Sequence, residues 1–247
     1  MAIRKRYLLI RRSFRGLQGY VGLLAAALSV MSCVEASAHM ASYPSMAPID
    51  TYLSQTAVDE IGLARSAGPP SISNDAEILT LGVRGYSPAV KGRNGFACIV
   101  ERAWSMAFDD PEFWNPRVRA PICFNAAATR SVLPEYLMRT KWALSGASRS
   151  KMVSLVKAAV ASHEITAPEF GSMCYMMSKR GYLGDDVGGP WHPHLMFFLP
   201  RMAANQWGAN LPGSPVMAGV KRFEPTTVFL VPIAKWSDGS ADGRQQP

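Results

Sequence analysis

The sequence predicts an α+β fold, a mainly antiparallel sheet with flanking helices in a single domain. Two observations carry this. Strand-like segments come in clusters, with helical segments between the clusters rather than alternating with single strands. And HLMFFL, His194 to Leu199, is apolar on both faces, which places it in the middle of a sheet that is covered on both sides.

The elements follow in chain order. Residues 1–38 read as a secretory signal peptide. Arg4, Lys5, Arg6, Arg11, Arg12 and Arg15 make a basic start without acids, residues 16–31 are apolar and small, and Ala36-Ser37-Ala38 is an A-x-A cleavage site that leaves His39 first. The apolar run is shorter than the roughly 20 residues of a spanning helix. Arg11-Arg12-Ser13-Phe14 matches the core of a twin-arginine signal, so the export route stays open. Val30-Met31-Ser32-Cys33 offers the alternative of a lipoprotein anchored at Cys33. The expected location is periplasmic or secreted.

Residues 39–236 form the predicted domain. Leu53, Ala57, Ile61 and Ala64 recur at helical spacing, predicting a helix over Asp50 to Ala67 that Gly68-Pro69-Pro70 ends. EILTLGV from Glu77, then Ala89 to Lys91 and Gly95 to Val100, predict a small antiparallel meander with a turn at residues 92–95. Residues 104–121, with two tryptophans and three prolines, predict a packed surface loop. Asn125 to Leu144 is helical with an interruption at Pro134, and Ser148 or Ser150 caps a further helix through Ser162. Met173 to Ser178 is a strand, residues 179–193 a glycine-rich loop, and residues 205–215 a second loop. Val216 to Ala218 and Thr226 to Pro232 complete the sheet. The small, polar segment 237–247 is expected to be a disordered tail.

Charge excludes one class. Six of the 26 basic residues and one of the 18 acids lie in residues 1–38, leaving 20 against 17, a net charge of +3. With no Lys/Arg run in that remainder, no nucleic-acid partner is expected, and no transmembrane segment either. Three cysteines remain, so one pair and one free thiol is the natural count in an oxidising compartment. Spacing allows three pairings. The turn-rich segments before Cys98 and Cys123 favour that pair, and Cys174, inside an apolar run, reads as a buried free thiol.

Asn94-Gly95-Phe96-Ala97-Cys98, Pro121-Ile122-Cys123, Trp191-His192-Pro193-His194-Leu195-Met196 and the closing VFLVP resemble a set of uncharacterised exported bacterial proteins. The resemblance spans most of the chain after residue 38. It implies export and the Cys98–Cys123 pairing, and carries over no catalytic residue.

Chemistry concentrates around WHPH. His192 and His194, two apart on extended chain, point the same way. With Asp185 or Asp186 they make a two-histidine, one-carboxylate set of the kind that takes a transition metal such as zinc or ferrous iron, and Met176 and Met196 nearby would suit copper(I). If Met173 to Ser178 pairs antiparallel with His194 to Leu199, Ser178 faces His194, Met176 faces Met196 and Cys174 faces Phe198. That register puts Cys174 roughly 13 Å along the strand from His194, and makes Ser178–His194, oriented by Asp185 or Asp186, the better placed nucleophile pair. No G-x-S-x-G elbow accompanies it. The plain reading has His194 drawn into the core and bonded to backbone or Ser178, His192 partly exposed, and the two aspartates as solvated turn residues. The leading expectation is a non-catalytic binding or structural module, with the metal protein or metal-dependent enzyme as its rival.

Overall fold

The computed structural model describes residues 43–244. The expected signal peptide, its cleavage site and Cys33 lie outside the described residues.

Eight strands form one mixed, mostly antiparallel sheet: β1 (Glu77–Gly82), β2 (Gly85–Val90), β3 (Ala97–Glu101), β4 (Ala120–Phe124), β5 (Met173–Met176), β6 (His194–Pro200), β7 (Met217–Val220) and β8 (Thr226–Pro232), in the spatial order β2-β1-β3-β4-β5-β6-β8-β7. The described residues also hold five α-helices: α1 (Ala57–Arg65), α2 (Pro70–Ser73), α3 (Ala126–Ser131), α4 (Leu133–Leu144) and α5 (Arg149–Ala161). The α+β expectation holds in this coarser form, with a larger sheet than expected.

Local chemistry explains several boundaries. Thr56 accepts a hydrogen bond from the Asp59 N–H (3.1 Å), so α1 starts at Ala57 and the helix expected from Asp50 is broken there. Before it, Ile49–Tyr52 forms only a 3-10 turn. Asn125, expected as the first helical residue, caps α3 through Ala128 N–H (3.0 Å); as the sequence predicts, Pro134 sits in the first turn of α4 and Ser148 caps α5 through Lys151 N–H (3.2 Å).

The meander expectation is corrected. β1 and β2 form an antiparallel hairpin, but β3 runs parallel to β1, with Glu77 opposite Ala97 and Ile78 opposite Cys98. The chain crosses the start of β1 between residues 91 and 96. A Cβ on Gly92 would lie 2.3 Å from the Glu77 nitrogen, so only glycine allows that crossing. Residues 120–124, expected partly as loop, form the fully buried central strand β4, with Pro121 opposite Val100.

The register assigns the sheet's two faces. One carries Ile99 and Glu101 on β3, Ala120, Ile122 and Phe124 on β4, Cys174 and Met176 on β5, and His194, Met196 and Phe198 on β6. Helices α3 and α4 cover its middle with Ala128, Val132, Leu133 and Tyr136. The other face carries Cys98, Val100 and Cys123 under α1. Cys98 and Cys123 lie directly opposite each other and are disulfide-bonded, and Cys174 is a buried free thiol. A buried ion pair ties α1 to the end of β3: the Arg102 guanidinium donates to Glu60 (3.0 and 2.9 Å) and to the Tyr52 carbonyl (2.7 Å). Two such charges offset each other's desolvation only while both are present.

The segment 237–244 is packed rather than frayed. Trp236 N–H donates to Ser240 O (2.9 Å), Asp242 N–H donates to Ala234 O (2.9 Å), and Lys235 bridges to Ala241. Composition hid this, because the segment is held through backbone bonds and one buried aspartate. Among the described residues, no helix is long and apolar enough to cross a membrane.

Candidate functional site

The predicted residues around WHPH are partly brought together. Ser178, His192 and His194 share one small cleft with Pro121 and Trp191. His194 is buried, with its ring against Trp191 (centroids 4.9 Å apart), and its Nδ1–H donates to the His192 carbonyl (2.7 Å). Burial pushes its pKa down to about 4, outweighing that hydrogen bond, so the imidazole is neutral near pH 7. His192 Nδ1 is paired with Asp242 Oδ2 at 2.5 Å. Asp242 also accepts from Arg244 Nε (3.0 Å), and Arg244 donates to the carbonyls of Pro190 and Trp191 (2.9 and 2.8 Å). The carboxylate beside His192 therefore comes from the segment expected to be disordered.

Asp185 and Asp186 are engaged elsewhere. Asp185 accepts from Tyr43 (2.6 Å), Tyr182 and Asn115 (3.1 Å), with Arg117 at 3.3 Å. Those hydrogen bonds, with Tyr182 first, hold its carboxyl below the usual range. Asp186 caps the Val187 N–H (2.9 Å). Among the described residues, no group of three His, Cys, Asp or Glu side chains is placed to hold a metal ion.

The β5–β6 pairing is antiparallel as expected, but shifted by two residues. Met176 faces His194 and Cys174 faces Met196. Parity is kept, so the same side chains face the core. Ser178 falls beyond the strand end, where it bonds Ser66 Oγ (2.6 Å) and accepts from Arg180 N–H (3.1 Å). Burial raises the Cys174 thiol well above its ordinary value, the reverse of what a thiolate nucleophile needs.

Two substitutions test this arrangement. His194→Ala should cost about 1–3 kcal/mol by emptying a buried site and freeing the His192 carbonyl. From sequence, His192→Ala is a minor surface change. With the buried Asp242 left to Arg244 alone, its cost should fall in the same range. Urea unfolding of both variants, with and without EDTA, checks this. A wild-type transition that EDTA lowers, and that either substitution makes insensitive, would reinstate the metal set.

The more informative cavity lies on the same face of the sheet, beneath α4. It encloses about 280 Å³ and is walled mainly by apolar groups, including Met176, Leu183, Trp191, Met196, Phe198 and Leu230. Ala120 leaves room on its floor, because it sits directly opposite Glu101 and is small. Polar groups mark its two ends. His194 (β6) and Glu101 (β3) are three strands apart, about 14 Å at about 4.8 Å per strand.

At the Glu101 end three groups converge. The Glu101 side chain accepts and donates no hydrogen bond among the described residues, and its Oε1 is wholly buried. Burial pushes its pKa up to about 8 against the opposing charges of Lys221 and Arg139, so the carboxyl is largely protonated at pH 7. The Tyr136 hydroxyl also has no partner among the described residues, and burial raises its pKa well above the ordinary value. Lys221 Nζ lies 5.1 Å from the Tyr136 ring centroid and donates to Glu135 (2.7 Å). Burial works to raise the Glu135 pKa, but the charges of Lys221 and Arg139 outweigh it, and Glu135 is held ionised.

Ser105, Met106, Lys221 and Val228 also line a second, wider cavity of about 800 Å³. Its wall carries Arg139, Arg201, Lys221 and Arg222 against Asp109 and Glu224. Arg139 is buried, and its Nε–H has no hydrogen-bond partner among the described residues.

Sequence reasoning missed Glu101, Tyr136 and Lys221. Glu101 directly follows the apolar run of β3 and looks like a solvated strand end, and Tyr136 fits the apolar face of α4. No family model, no curated protein and no solved structure matches the chain.

Proposed function

We propose that this chain is an exported, non-catalytic binding module that holds a small apolar molecule in the 280 Å³ cavity. One observation carries the reading: an otherwise apolar cavity has on its wall the buried Glu101 Oε1, which no protein group among the described residues satisfies, with the unbonded Tyr136 hydroxyl beside it. An unpaired buried polar group such as the Glu101 Oε1 costs about 1–3 kcal/mol, a cost that a bound polar atom removes. Apolar walls with a few convergent polar groups and shifted pKa values are the usual composition of a ligand site. Export rests on the basic start, apolar run and Ala36-Ser37-Ala38, and the disulfide is compatible with it.

Octan-1-ol is a suitable probe for the cavity. It should shift the methyl NMR signals of Met176 and Met196, which line the cavity, and Ala120→Phe should abolish the shifts by filling the floor. Unchanged methyl signals at saturating octanol would overturn the cavity reading. Export is tested separately by intact mass: the secreted or periplasmic form should begin at His39, and a chain retaining residues 1–38 would refute it.

A further inference from the structure

We infer that the cavity's ligand is a single-headed apolar acid, whose carboxylate sits between Glu101, Tyr136 and Lys221 and whose apolar body runs toward Met176 and Trp191. This deepens the proposed binding role and rests on it.

The head group follows from the donors present. Tyr136 offers one neutral O–H and Glu101, protonated, offers another. Neither is engaged by the protein among the described residues. Both are nine-tenths buried or more, with exposures of 6% and 9%. Lys221 donates one N–H to Glu135 (2.7 Å) and brings its remaining N–H groups beside the Tyr136 ring. Two neutral donors and one cation suit an anionic oxygen pair, because hydrogen bonds to a charged acceptor are about twice as strong as neutral ones. An alcohol oxygen could accept from both hydroxyls but brings no charge to meet Lys221, and an ammonium head would face Lys221 at close range.

The surroundings agree in sign. The adjoining wider cavity shares Lys221 and carries three further cations, Arg139, Arg201 and Arg222, against two carboxylates, Asp109 and Glu224. With Glu135, which pairs with Lys221 (2.7 Å) and Arg139 (3.6 Å), the tally is four cations against three carboxylates, and the remaining positive charge draws an anion toward the head-group end. At the opposite end His194 presents a neutral ring, with Trp191, Leu183 and Met176 around it. Among the described residues no charged side chain lines that end of the cavity, which fixes the ligand's direction.

The test compares three ligands of one chain length, octanoate, octan-1-ol and octylammonium, by calorimetry on the full chain after any leader is removed. Octanoate should bind at least tenfold more tightly than octanol, and octylammonium more weakly than both. Tyr136→Phe keeps the ring and its packing while deleting the hydroxyl. It should reduce the octanoate preference several-fold and leave octanol binding nearly unchanged. Arg222→Ser, at an exposed residue that lines only the wider cavity, should slow octanoate association and not that of octanol. Equal affinity for octanoate and octanol, unaltered by Tyr136→Phe, would overturn the head-group assignment while leaving the cavity reading intact. Failure of all three ligands to bind would overturn both.

Discussion

Removing the Cys98–Cys123 disulfide should destabilise the protein by about 3.5 kcal/mol in the chain-entropy account of a cross-link that closes a loop of this length. The two cysteines are 25 residues apart and join the neighbouring strands β3 and β4. Both are completely buried, under Ala64 and Ala67. The bond restricts the unfolded chain between them, and that segment carries Trp104, Phe113 and Trp114 into a cluster at one end of the sheet. Because β3 supplies Glu101 and β4 supplies Ala120, loosening this pair should also disturb the cavity floor. The variant carrying both Cys98→Ala and Cys123→Ala, unfolded in urea beside the oxidised wild type, measures the effect. A loss below about 1 kcal/mol would show that the cross-link does not restrain the chain, and peptide mapping that joins Cys174 to either cysteine would contradict the pairing itself.

What could be read from the sequence depends on how locally each feature is determined. Strand β6 was legible because HLMFFL is apolar throughout, but the expected cover on both faces is only partial: His194 and Phe198 are buried, and Leu195, Met196, Phe197 and Leu199 are half-buried. Its pairing with β5 was legible too, but not the register, since no turn of fixed length sets it: the intervening loop spans residues 177–193. The two-residue shift preserved which side chains face the core and changed only their neighbours, so Cys174 faces Met196 rather than Phe198. The cap Ser148 was legible because a cap acts within three residues. The crossing at Gly92 was not, because it depends on contact with Ala76 and Glu77, which no local pattern reports.

The site divides along the same line. His194 was legible as a core histidine from its place at the start of an apolar strand. Its neighbour's partner, Asp242, lies 50 residues away in a segment whose glycines and serines read as disorder. Glu101, Tyr136 and Lys221 come from β3, α4 and the turn after β7, three elements that only the fold brings together.

Glu101→Gln should abolish the fall in stability with rising pH above neutrality. In the native protein this carboxyl titrates near 8, against an ordinary value of 4.5. Between those values the unfolded chain has lost the proton and the native chain keeps it. Native protein then binds more protons, so stability falls as pH rises, by about 1.4 kcal/mol per unit and on the order of 4–5 kcal/mol across the window. His194 works in the opposite sense. Its native pKa of about 4 lies below the ordinary 6.5, so the unfolded chain binds the extra proton between those values, and stability is lost as pH falls through them. From about pH 4.5 to 6.5 the two slopes oppose each other and nearly cancel. From 6.5 to 8 the Glu101 slope is unopposed and should remove about 2 kcal/mol. Glutamine keeps the side-chain shape without a titrating proton, so Glu101→Gln should be flat from 6.5 to 8 and should rise from 4 to 6.5. The lowered carboxyls of Asp185 and Asp242 do not interact with Glu101 and drop out of the difference. Urea midpoints at intervals between pH 4.5 and 8.5 give that difference directly. A difference that stays constant across the range would mean that Glu101 is ionised in the native protein, and the cavity would then present a carboxylate instead of the donor assigned to it.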